Sequence, residues 1–151
     1  MEPAAGIYAR YSSYLDRVVQ IGVVGNRLIA VSFPRDHPEE ADSEHQILDS
    51  IERYLDGIEE SFADVELALT VGTETRAVLE TVREIPYGHQ RDVETIAKMT
   101  PQIDVDATET VQQALRENPV PPVIPDHRVS DGPHAAPTGV VERFRALEGL
   151  E

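Results

Sequence analysis

The densest run of chemistry-bearing side chains is Asp126-His127-Arg128, which follows Asn118 by eight residues. A carboxylate, an imidazole and a guanidinium in succession offer an acid or base, a proton carrier and a permanent cation. Adjacent residues rarely converge on one ion. The five histidines (His37, His45, His89, His127 and His134) show no ligand spacing either, so no metal site is expected. The 151-residue chain contains no cysteine, which excludes disulfides, thiolate-held zinc, iron–sulfur clusters and any thiol nucleophile. His127 therefore has no thiol to deprotonate and reads first as a buried, hydrogen-bonded residue. Arg128 is expected to tie the two halves of the chain together through carboxylates or carbonyls, and Asn118 before Pro119 to fix a turn.

Two kinds of element must position these groups. In the first half, residues 5–12 and 17–25 alternate as strands, and Gly25-Asn26 between apolar runs marks a two-residue hairpin returning through Leu28 to Phe33. Ser43, with Gln46 three residues on, predicts the start of a helix whose apolar stripe is Ile47, Leu48, Ile51, Tyr54 and Leu55. Residues 64–71 read as a further short strand. The second half is helical: 73–84, then a short helix capped by Asp92, then one capped by Asp104 or Asp106 and running to Glu117, then 140–150. The middle two read as a helix-turn-helix with a tight turn. Four prolines between Pro119 and Pro125 forbid helix and central strand, and predict a rigid, buried, extended segment. The fold class is thus α+β: an N-terminal αβ sheet domain over 1–71, and an all-helical domain of DNA-binding type over 72–151.

Charge qualifies the functional reading. The formal net charge is −15, and only Lys98 among the 13 basic residues is a lysine. The excess is dispersed, with seven basic against 17 acidic residues over 1–84 and six against 11 over 85–151. A dispersed acidic surface suits strong brine, where salt screens the repulsion between carboxylates. The naive inference that such a chain avoids phosphate weakens if the partner interface is only locally neutral. No apolar run reaches the roughly 18 residues of a membrane helix, and no basic leader precedes an apolar stretch. A soluble, monomeric, cytoplasmic protein with no membrane partner is expected.

Asn118-Pro119-Val120-Pro121-Pro122-Val123-Ile124-Pro125-Asp126-His127-Arg128-Val129 resembles the active-site signature of the O6-alkylguanine-DNA alkyltransferases, Asn-Pro-x-Pro-(two apolar)-Ile-Pro-Cys-His-Arg-Val. The order and spacing of Arg76 to Gly88, Asp92 to Glu117 and Val141 to Glu151 are similar to that family too. The likeness is strong over 73–151. Over 1–72 it extends only to the order of elements. The resemblance implies a thiolate that takes an alkyl group from a guanine flipped out of duplex DNA, in one irreversible turnover. It implies that His127 takes the thiol proton through a water, that Glu151 orients His127, and that Asn118 holds the turn. It implies no cofactor.

This chain departs from that pattern where reactivity and DNA contact lie. Asp126 stands at the nucleophile position, so transfer to cysteine is excluded. Glu109 falls at the family's intercalating arginine, where an anion would face phosphates. Val93 falls at the tyrosine that helps rotate the target phosphate, Gln112 and Gln113 at two glycines of the recognition helix, and Pro137 at a pocket tyrosine. The candidate DNA-facing set is Gln90, Arg91, Glu109, Gln112, Gln113, Arg116 and Arg128, against a bland solvated face for most of them. Three readings follow. The chain is a cysteine-lacking, non-catalytic reader of O6-alkylguanine in double-stranded DNA that flags lesions for a repair-pathway protein, fitting a haloarchaeal member. Alternatively, it is a degenerate paralogue serving as a protein-binding or regulatory module. Family membership alone would make it an active methyltransferase, which conflicts with Asp126.

Overall fold

The computed structural model describes residues 5–150, which divide into two compact units, the first ending at Ala68 and the second beginning at Leu69. The first unit is a four-stranded sheet in the order β1 (Ala5–Ser12), β2 (Arg17–Val24), β3 (Arg27–Ser32), β4 (Glu66–Leu67), with one helix, α1 (Gln46–Leu55). β1 and β2 pair antiparallel from Ala5↔Val24 to Ser12↔Arg17. The β2–β3 hairpin closes on the expected two residues, with Gly25 first at φ +61°, a backbone that glycine adopts without penalty. The strand expected over 64–71 shrinks to Glu66–Leu67, which pairs parallel with Arg27–Leu28.

α1 buries the predicted stripe of Ile47, Leu48, Ile51, Tyr54 and Leu55, beside Ala9, Val19, Ile21 and Leu28 in the core of this unit. Its N-cap is His45, whose ring nitrogen accepts from Ile47 N, and not Ser43. The chain before the helix is already committed elsewhere. The Ser43 carbonyl accepts two hydrogen bonds from Arg10, and the Asp42 side chain accepts from Glu44 N, which delays the first helical turn.

The second unit holds α2 (Thr73–Arg83), α3 (Val93–Met99), α4 (Thr108–Arg116), a 3-10 turn at Asp126–Arg128, and α5 (Thr138–Glu148). α2 packs on α3 and α4, and the 3-10 turn packs on α5 and α2. The buried residues Val78, Leu79, Val82, Ile96, Ala97, Val111, Ala114, Leu115, Val140 and Phe144 supply its core. Asp92 caps α3 by accepting from Thr95 N at 2.8 Å. α4 lacks a side-chain cap: Ala107 holds the N-cap position, while the carbonyls of Asp104 and Asp106, not their carboxylates, accept from Ala107 N and Thr108 N. α3 and α4 are joined by the eight residues Thr100–Ala107 and not by a tight turn. The proline run is buried, as expected, but it is a compact turn and not an extended segment. Ile124 N reaches back to Val120 O, and Asn118 Oδ1 accepts from Val120 N. Proline leaves few amides to satisfy, and Asn118 takes two of the remaining backbone groups.

Candidate functional site

The proline turn delivers Asp126, His127 and Arg128 into the interior of the second unit, where they are 1%, 1% and 5% exposed. Charged groups at such depth are held only by partners. α5 supplies the central one. Glu148 Oε2 lies 2.6 Å from His127 Nε2 and accepts from Arg128 Nη2 at 3.0 Å, while Oε1 accepts from Arg128 Nε at 2.7 Å and from Gly88 N at 2.9 Å. Burial alone would raise the Glu148 carboxyl. Hydrogen bonds from His127 and Arg128 outweigh it and hold the group at about 2. Burial pushes His127 below its ordinary value despite Glu148.

Sequence reasoning assigned the role of orienting His127 to Glu151, which lies outside the described residues; the carboxylate on His127 Nε2 is Glu148. A signal for Glu148 was available. It sits four residues after Phe144 and seven after Val141, on the buried face of α5. Arg128, placed among the DNA-facing candidates, is instead bound on every side. Besides Glu148 it donates through Nη1 to Ile85 O at 2.7 Å and lies 5.6 Å from the Tyr87 ring centre. These partners, a carboxylate, a carbonyl and a ring, all belong to the second unit. Arg145, which sequence reasoning missed, donates to His127 O at 2.6 Å and to Gln90 Oε1 at 3.0 Å.

Asp126 occupies a second network. Its Oδ2 accepts from Asn118 Nδ2 at 3.1 Å and Ala135 N at 3.0 Å, and Asn118 Nδ2 also donates to Ile124 O at 2.8 Å. Oδ1 is buried and has no hydrogen-bond partner among the described residues. Burial pushes the Asp126 carboxyl up to about 6, against the hydrogen bonds from Ala135 and Asn118. Asp126 and His127 also line a cavity of about 320 Å³, walled by Val129, Ser130, Gly132 and His134 and by Thr138, Val141, Glu142 and Arg145 of α5. That volume lies in the range of small-molecule sites.

Gly132 in the same wall was also missed, because nothing in its neighbours marks it. A Cβ there would lie 2.5 Å from Leu115 Cδ1, 3.0 Å from Val129 Cγ1 and 3.2 Å from Val93 Cγ2. Leu115 and Val93 are buried and cannot swing away. Gly132→Ala is therefore expected to lower stability by about 1–3 kcal/mol, measured by urea denaturation; an unchanged midpoint would show that this wall yields.

The sequence candidates on α4 do not join this site. Glu109, Gln112, Gln113 and Arg116 lie on α4 and line a separate groove with Glu74, Thr75 and Thr110. Glu109, Gln113 and Arg116 are exposed, and Gln113 donates to Glu117. Arg91 pairs its backbone with Arg128 and Ser130, and its guanidinium donates to Gln90 O.

A sequence profile described as the DNA-binding domain of 6-O-methylguanine DNA methyltransferase matches residues 73–148, half of the chain. The chain belongs to the 6-O-methylguanine DNA methyltransferase family. Two relatives within the family are named methylated-DNA–protein-cysteine methyltransferase. The one from Archaeoglobus fulgidus is 36% identical over 62% of this chain and 60% of its own length. The one from Methanopyrus kandleri is 34% identical over 69% and 78%. The match thus spans less than two thirds of the Archaeoglobus protein. The fold is shared more widely: the crystal structure of Mycobacterium tuberculosis OGT in complex with DNA superimposes with a TM-score of 0.73 over 95% of this chain and 91% of that one, at 23% identity.

Proposed function

We propose that this member of the family reads alkylated bases in double-stranded DNA, O6-alkylguanine among them, without removing the alkyl group. One observation carries the reading. The family motif is present from Asn118 to Val129, its buried supports are hydrogen-bonded, and a cavity stands beside it, yet the acceptor position is Asp126 in a chain with no cysteine. Alkyl transfer needs a strong nucleophile, and a carboxylate is a weak one toward an alkyl carbon. Binding needs only the cavity and a surface that meets DNA. The DNA complex of the Mycobacterium relative supports such a surface on this fold. The α3–α4 pair is the proposed helix-turn-helix, with Gln112, Gln113 and Arg116 contacting DNA and Glu109 weakening the approach. The acidic surface fits work at high salt, and a bound reader would mark the lesion for a second protein.

Intact-mass measurement after incubation with a duplex carrying one O6-methylguanine tests the absence of chemistry. An unchanged protein mass is expected. A gain of one methyl group, mapped to Asp126, would contradict it.

A further inference from the structure

The position that has lost its nucleophile has gained a hydrogen-bond acceptor. Asp126 Oδ2 is committed to Asn118 and Ala135, while Oδ1, in a residue 1% exposed that lines the cavity, has no donor among the described residues. A buried carboxylate oxygen left without a donor is costly, and an occupant that brings an N–H relieves the cost. Neighbouring groups do not supply that donor. Arg145 is engaged by His127 O and Gln90, and His134 Nδ1 lies 2.9 Å from Ala136 O.

A residue at an alkyl-acceptor position faces the six-position edge of the flipped purine. The ring nitrogen at that edge is unprotonated in O6-alkylguanine and in N6-alkyladenine alike, so the exocyclic group decides. In O6-alkylguanine it is an ether oxygen, a lone-pair bearer that a carboxylate repels. In an N6-alkyladenine the same edge carries an N–H. We propose that Asp126 is a specificity-determining residue that accepts a hydrogen bond from the flipped base, and that the preferred occupant is a purine with an alkylamino group at carbon 6. This inference rests on the reading that the chain binds alkylated bases.

Competition binding with three duplexes differing at one base (unmodified, O6-methylguanine, N6-methyladenine) tests it in molar KCl. The N6-methyladenine duplex is expected to bind about tenfold tighter than the O6-methylguanine duplex, the size of one hydrogen bond to a charged group. Asp126→Asn, whose amide also donates, is expected to collapse that preference, and so is Asp126→Ala, which offers no acceptor. Equal binding of the two modified duplexes by the wild-type chain, tighter binding of O6-methylguanine, or a preference that survives both substitutions would overturn the inference. If O6-methylguanine still binds better than unmodified duplex, only the selectivity has failed. If neither modified duplex is preferred, the reader itself has failed.

Discussion

Glu148→Ala is expected to cost about 3–5 kcal/mol of stability, the usual penalty for leaving a buried cation without its counter-ion. The substitution removes both Arg128 hydrogen bonds, the His127 contact and the acceptor of Gly88 N in a single step. Arg128 then keeps the Ile85 carbonyl and the Tyr87 ring, neither of them a counter-ion, at a position 5% exposed. Urea denaturation measures the loss. The double variant Glu148→Leu with Arg128→Met, which removes both charges, is expected to recover much of it. A loss below about 1 kcal/mol in the single variant would show that the ion pair is not what holds the turn. The pH dependence has a definite sign. Glu148 is depressed from 4.5 to about 2, so its contribution is complete above about 4.5 and is lost as pH falls toward 2. His127 acts in the same direction, because its depressed folded-state value penalises protonation of the native chain as pH drops.

Asp126→Asn should do the opposite of most buried substitutions and stabilise the protein. The folded carboxyl titrates at about 6 against an ordinary 3.8, so between those values the native state holds a proton that the unfolded chain has released. Stability therefore falls as pH rises from about 3.8 to 6, and the full penalty remains above 6. The rise from 3.8 to about 6 corresponds to roughly 3 kcal/mol as an upper figure. Asparagine keeps an oxygen that accepts from Asn118 and Ala135 and carries no charge. A gain of up to roughly 3 kcal/mol at pH 8, vanishing near pH 4, is the expected result in paired urea titrations. An equal effect at both pH values would show that ionisation of Asp126 is not the cause.

Sequence patterns told most about elements whose cause is local. The stripe from Ile47 to Leu55, the Asp92 cap and the Gly25-Asn26 hairpin each depend on a few neighbouring residues, and each stands where the pattern puts it. Helix starts that depend on long-range contacts were misread. Arg10, 33 residues away in sequence, holds the Ser43 carbonyl and so shifts the N-cap to His45. The motif 118–129 was legible as a motif, but its geometry was not. Prolines specify where a hydrogen-bonded ladder cannot run, and not whether the chain extends or folds back. The Asn118 and Val120 hydrogen bonds decide for a turn. Glu148 was passed over because the resemblance put Glu151 at the family's closing glutamate, although Glu148 shares the buried face of α5 with Val141 and Phe144. The tight contact of Gly132 with Leu115 involves residues 17 positions apart and has no local signature.

The most direct measurement is competition binding, in molar KCl, between a duplex carrying one O6-methylguanine and the same duplex unmodified. Tighter binding of the lesion duplex, with the methyl group still on the DNA afterwards, is the expected result. Equal affinity for the two duplexes would contradict the proposal that the chain reads O6-alkylguanine.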